Sequence, residues 1–187
     1  RTAELADFDD QLYKVTARAA PPGPAGGDDA GEATSAYLIA TSEQPISAMH
    51  QEESLDPRDL PLRYAGVSPC FRAETSARGL DAKGLFRVHQ FEKVEQFCVC
   101  APEESWGVFE DMIALTEEFY QSLQLPYRVV AIASGALNNI AAMKYDLEAW
   151  FPSSQEYREL VSCSNCTDYQ ARALGVRLSE GPGSRFA

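Results

Sequence analysis

Long apolar runs and an excess of positive charge are both missing from this 187-residue chain. No stretch approaches the ~20 apolar residues of a membrane helix, and no apolar segment of signal-peptide type opens the chain. The expectation is a soluble, cytoplasmic protein with no membrane partner. Lys and Arg number 16 against 28 Asp and Glu, a formal net charge of −12. That balance argues against broad nonspecific nucleic-acid binding, which needs a basic surface. A protein of this charge that meets a nucleic acid needs its basic surface local or on another segment. The five cysteines are odd in number and lack framework spacing, which fits a reducing compartment better than a disulfide scaffold. Cys98-Val99-Cys100 and the CxxC of Cys163 and Cys166 have no histidine spacing to complete four zinc ligands, and no thioredoxin-like context. Reduced, buried core thiols are expected, with no zinc.

What is present is globular. Apolar residues make up 45% and charged residues 24%, and the length fits one domain with a substantial core. Leu5, Phe8 and Leu12 have helical spacing in the first fifteen residues. Residues 17–36, dense in Ala, Pro and Gly, read as a mobile surface loop. A short strand is expected over Tyr37–Ala40, then a helix from Thr41-Ser42-Glu43-Gln44-Pro45, with Thr41 or Ser42 as cap and Glu43 complementing the dipole. Pro102–Leu123 is the clearest helix, its stripe formed by Trp106, Phe109, Ile113, Phe119, Tyr120 and Leu123. That stripe is packing, not a cofactor box. Tyr127–Ala133 reads as a strand buried on most sides. Tyr145–Pro152 and Glu156–Asn165 read as a strand pair turning at Pro152-Ser153-Ser154, with Asp146 and Glu148 on a solvated face. Thr167–Leu174 is a short capped helix.

The chain is organised around Arg72–Glu95, RAETSARGLDAKGLFRVHQFEKVE. An approach strand, Leu62–Glu74, leads to a loop broken at Gly79 and Gly84, and a return run spans Arg87–Cys100. As a strand, the return run places Arg87, His89, Phe91, Lys93, Glu95 and Phe97 on one face. Arg87, Phe91 and Glu95 then stand roughly 13 Å apart, each from the next. A cation, a ring and an acid at that scale suit a nucleotide and an amino acid side by side. A polar hairpin on a sheet surface gives the same alternation.

FRAE, the glycine loop and GLFRVHQFEKVEQF resemble motif 2 of the class II aminoacyl-tRNA synthetases, and VHQFEKVE is similar to the seryl members in particular. ATSEQPI resembles that family's serine loop, and DLEAWFP with RELVSCSNCTDYQAR resembles its sequence between motifs 2 and 3. The resemblance runs from Leu5 to about Arg177 apart from the Pro/Gly loop, and implies a partial catalytic domain of α+β class, an antiparallel sheet flanked by helices. It implies activation of serine by ATP to seryl-adenylate and transfer to tRNA(Ser), in a homodimer, with ATP and Mg²⁺. By resemblance, Arg72 and Arg87 are catalytic. Thr41, Glu43, Arg72 and Glu95 contact serine. Arg72, Glu74, Arg87, Val88, His89, Gln90, Phe91, Glu159, Leu160, Val161 and Ser162 line ATP, with Mg²⁺ on Glu159 and Ser162. No stretch matches motifs 1 and 3. The loop departs from the family at Ser76, Leu80 and Ala82, which concerns the tRNA acceptor end, and Ala173 replaces a commonly basic residue. The alternative is a non-catalytic paralogue or interaction module that keeps the fold.

Overall fold

The structure, a computed structural model, describes residues 12–16, 35–73, 86–179 and 185–187. In chain order its elements are β1 (Lys14–Thr16), β2 (Ser35–Tyr37), α1 (Glu43–Ser47), β3 (Ser54–Leu55), β4 (Leu62–Phe71), β5 (Gln90–Val99), α2 (Ser105–Ser122), β6 (Tyr127–Ala131), β7 (Met143–Phe151), β8 (Glu156–Asn165), α3 (Tyr169–Leu174), β9 (Arg177–Leu178) and β10 (Arg185–Phe186). This is the α+β class expected. The described residues divide by their contacts into two compact units, one within Glu43–Ala65 and Gln96–Ala187, the other within Leu5–Ser42 and Gly66–Glu95.

In the first unit, β6, β7 and β8 form an antiparallel sheet in the order β6-β7-β8. Tyr145 pairs with Cys163, and both pack with Met143 against Phe109, Ile113 and Met112 of α2. Phe109, Ile113 and Thr116, spaced i, i+4 and i+7, are the buried positions of that helix. The expected apolar stripe is therefore narrower than its sequence. Trp106 (47% exposed), Phe119 (56%) and Leu123 (49%) face solvent. The helix begins after a 3₁₀ turn at Pro102–Glu104, since a proline tolerates only the first turn. β6 is an edge strand with Arg128, Val129 and Ala131 exposed, which corrects its expected burial on most sides.

A second core joins Leu55, Leu174, Val176 and Leu178, where β3 runs parallel to β9 and β9 antiparallel to β10. The chain reaches β9 from α3 through Gly175, in the left-handed region at φ 73°. The Val176 amide donates to Ala171 O and the Glu52 amide to Leu174 O, so carbonyls at the helix end are satisfied.

In the second unit β1 pairs with β2, Lys14 opposite Tyr37. The expected strand at Tyr37–Ala40 therefore ends earlier, at Tyr37. β4 and β5 pair with each other, and their side chains alternate between exposed and half-buried along most of their length. β4 stops at Phe71 rather than Glu74, and β5 starts at Gln90 rather than Arg87. The glycine loop, Glu74, Leu5, Phe8 and nearly all of the Pro/Gly segment lie outside the described residues.

Gly175→Ala tests the α3 exit. An added Cβ would meet the Glu52 carboxylate at 2.7 Å, but that group ends a flexible side chain and can move. The positive φ remains, and costs on the order of 1 kcal/mol for a non-glycine residue. The melting temperature should fall by roughly 2–4 °C in a thermal scan, and an unchanged value would contradict a strained exit.

Candidate active site

Thr41 is 5% exposed and lies in the turn before α1, where Ala40, Ser42 and Ile46 are buried with it. Its hydroxyl donates to Glu95 Oε2 at 2.9 Å. Glu95 sits on β5, two residues from Lys93, so the pleat sends both side chains the same way. Lys93 Nζ is 2.6 Å from Glu95 Oε2 and donates to Thr41 Oγ1 at 3.0 Å. Three side chains thus close a ring of hydrogen bonds inside the second unit. Phe91 shares the half-buried face with Lys93, Glu95 and Phe97. The Arg72 guanidinium carbon stands 5.3 Å from the centre of the Phe91 ring, within cation–π range. Arg72 Nε is buried with no hydrogen-bond partner among the described residues. A planar donor of this kind, held on an aromatic face, suits an anionic oxygen.

The Arg72 amide donates to His89 O at 3.0 Å, which ties the end of β4 to the approach to β5. His89 Nδ1 lies 3.2 Å from Arg72 O and 2.6 Å from the Tyr13 hydroxyl. Either the Tyr13 hydroxyl donates to Nδ1 or Nδ1–H donates to Arg72 O, according to the tautomer. Arg87, Val88, His89 and Gln90 are all exposed. Arg87 precedes the strand, in a bend, so the expected even row of Arg87, Phe91 and Glu95 holds for Phe91 and Glu95 only. A strand residue keeps its face by pairing, and Arg87 is short of the pairing. Buried beside this group, Cys70 has its thiol pushed up by desolvation.

In the first unit Glu43 opens α1, and its Oε1 accepts from Gln170 Nε2 of α3 at 2.7 Å. The β7–β8 pairing decides where Glu159 and Ser162 point. Asp146 pairs with Ser162 and Leu147 with Val161, but Glu148 pairs with Glu159, so the register slips at Leu160. Residues three apart on a regular strand face opposite ways. Here the bulge restores Glu159 to the face of Ser162, because paired residues share a face and so do Asp146 and Glu148. Both Glu159 and Ser162 are exposed, as is Leu160; Val161 is half-buried. Two hard oxygen donors on one exposed face fit a Mg²⁺ that keeps its other positions for phosphate and water. The same face is not the solvated carboxylate row expected. Asp146 is 6% exposed and stands 3.4 Å from Lys144, while Glu148 accepts from Arg128 Nε at 2.6 Å. Lys144 and Arg128 answer the carboxylates there.

All five thiols are free, but only Cys70 and Cys163 are buried as expected; Cys98, Cys100 and Cys166 are half-buried. Burial, then the Glu43 charge, pushes Cys166 up to about 12, and burial pushes Cys163 up to about 11. Cys98 differs. A hydrogen bond from Cys100 holds its thiol down at about 7, and Cys100 is raised in return.

The class II tRNA synthetase core domain (G, H, P, S and T) matches over residues 27–185. The chain belongs to that family. Within it, serine–tRNA ligases are similar throughout. The cytoplasmic enzyme of Dictyostelium discoideum is 58% identical over 177 residues, 95% of this chain and 36% of its own length. The cytoplasmic enzyme of Homo sapiens is 56% identical over 180 residues, 95% of this chain and 34% of its own. Among solved structures, seryl-tRNA synthetase of Pyrococcus horikoshii complexed with ATP superposes with a TM-score of 0.84 and 47% identity, covering 99% of this chain and 38% of that one. Cytoplasmic serine–tRNA ligase of Naegleria fowleri with AMP gives 0.85 and 54%, covering 99% and 41%. The chain spans little more than a third of the length of these class II relatives.

Two residues of the site were given no role in the sequence reading: Lys93 and Gln170. Alternation did place Lys93 on the face of Glu95, and that was the available signal. The bond from Gln170 to Glu43 joins residues far apart in sequence, and nothing in the sequence marks it.

The thiols give a test. A thiolate is the reacting form, so Cys98 should be alkylated by iodoacetamide ahead of Cys163 and Cys166 near pH 7.5. Because its acidity is centred near 7, its rate should drop as pH falls below 7, while the raised thiols stay slow throughout. Peptide mapping that finds Cys166 labelled first would overturn the ordering.

Proposed function

We propose that this chain is part of the catalytic domain of a cytoplasmic serine–tRNA ligase, acting as a homodimer. It binds serine and ATP with Mg²⁺, forms seryl-adenylate and passes the seryl group to tRNA(Ser). The observation that carries this reading is the second unit's own grouping: a hydroxyl–carboxylate pair, Thr41 and Glu95, and an arginine lodged on an aromatic ring, Arg72 on Phe91. These are the positions at which the resemblance puts the amino acid and the nucleotide. High identity to serine–tRNA ligases over nearly the whole chain supports it.

The chemistry needs no nucleophile from the protein. A carboxylate oxygen of serine attacks the α-phosphorus of ATP. The O–P bond forms as the bond to the bridging oxygen breaks, and pyrophosphate leaves with the electron pair. Arg72 serves both partners, holding the carboxylate and the α-phosphate in line while negative charge shifts between them. Phe91 stacks on the adenine, Glu74 accepts from its amino group, and Arg87 neutralises the terminal phosphate. The backbone around Val88–Gln90 and Leu160–Val161 lines the nucleotide. Glu159 and Ser162 hold Mg²⁺, which when bound offsets phosphate charge. Thr41, Glu43 and Glu95 read the ammonium and hydroxyl groups of serine. An analogue without the hydroxyl leaves a polar group unpaired, the stronger basis for discrimination. In the second step a hydroxyl of the terminal ribose of tRNA attacks the seryl carbonyl, and AMP departs.

Serine-dependent ATP–pyrophosphate exchange by the full-length polypeptide tests the assignment. Arg72→Ala should abolish exchange. Phe91→Ala should raise the KM for ATP on the order of tenfold, since a lost stacking partner costs ~1–3 kcal/mol. Normal exchange in both variants would refute the nucleotide assignment. Glu95→Gln should weaken serine far more than ATP, and an equal loss for both, with a lowered melting temperature, would point to folding instead.

A further inference from the structure

The ring of Thr41, Lys93 and Glu95 fixes more than position. A threonine hydroxyl has one proton to give. That proton goes to Glu95 Oε2, and Lys93 donates both to Thr41 Oγ1 and to the same Glu95 oxygen. The direction of the hydrogen bonds round the ring is therefore determined. Lys93 is donor only, Thr41 passes its proton on, and Glu95 receives twice. Thr41 has no proton left for a ligand, and a carboxylate only accepts.

We propose that Lys93 is a positioning and specificity-determining residue for the amino acid, which fixes Thr41 and Glu95 as a pair that offers a ligand no donor. The inference rests on the reading of Thr41 and Glu95 as serine contacts. A ligand that fits must bring the donors itself. Serine brings them as an ammonium group and a hydroxyl. The Lys93 charge also cancels that of Glu95, so attraction to cations in general is weak and selectivity falls to hydrogen-bond direction. The environment supports a role of this kind. The side chains of Lys93 and Glu95 are 31% and 16% exposed, and Thr41 is buried, so the ring is only partly wetted. Removing the cation from such a pair leaves a carboxylate short of its partner. The Thr41 hydroxyl, no longer bonded by Lys93, gains rotational freedom and the option of a different acceptor.

Lys93→Met, Lys93→Gln and Lys93→Arg in the full-length polypeptide test this, with pyrophosphate exchange as the assay and a melting curve for each variant. Lys93→Met should raise the KM for serine at least tenfold and leave the KM for ATP within twofold. It should also narrow the preference for serine over alanine by about tenfold. Lys93→Arg should restore most of both, and Lys93→Gln, which donates without charge, should fall between. A merely structural role would not move the serine-to-alanine ratio. If Lys93→Met and Lys93→Gln leave that ratio and the serine KM within twofold of the unsubstituted protein, the role is refuted. Serine and ATP weakened in step would refute it equally. Absence of serine-dependent exchange in the unsubstituted protein is a different failure, since it removes the serine reading from which the role of Lys93 is drawn.

Discussion

The period of two in a β-strand is the constraint on which the site depends. In β5 the period runs unbroken, so Phe91, Lys93 and Glu95 share one half-buried face and can be met by Arg72 and Thr41. In β8 the period is broken once. The slip at Leu160 carries Glu159 round to the side of Ser162, opposite Glu148 and Asp146. A regular ladder would have set the two oxygen donors on opposite faces of the sheet. One strand thus works by keeping its alternation and the other by losing it at a single residue.

Charge is handled locally in a chain whose net balance is strongly acidic. Lys93 serves Glu95, Arg128 serves Glu148, and Lys144 lies against the buried Asp146. In half-buried pairs of this type the loss of hydration offsets much of the attraction, so their main effect is on position. A carboxylate held by a cation keeps one orientation. That matters more to recognition than to the folding free energy.

Much of this could be read from the sequence, where local periodicity decides. The extent of α2, the β7–β8 pair and its turn, and the shared face of Phe91, Lys93 and Glu95 all follow from spacing within one element. What spacing could not reveal depended on the neighbours of an element. The apolar stripe of α2 is wider than the surface offered to it, so Trp106 and Phe119 stay in solvent. β6 has a buried composition but an edge position. Asp146 looked like a solvated acid until Lys144 and the pairing of β7 with two strands gave it cover. Arg87 looked like a strand residue because its composition continues the alternation, although the pairing begins three residues later, at Gln90. The bulge has no signature at all: RELVS reads as an ordinary strand, and only the pairing with β7 reveals that β8 carries one residue too many.

That extra residue changes what kind of information the segment carries. The facing of Glu159 depends on residue 160 being left out of the pairing, not on its being leucine, since the Leu160 side chain is exposed and the bulge needs only its backbone. Substitutions at 160 can therefore drift while the pairing stays fixed. Loss of that one residue would leave Glu159 two positions from Ser162, so the ladder would close evenly with the glutamate still opposite Glu148 and on the same side of the sheet. What the segment has to keep is the pairing of Glu159 with Glu148, whatever residue is looped out beside it.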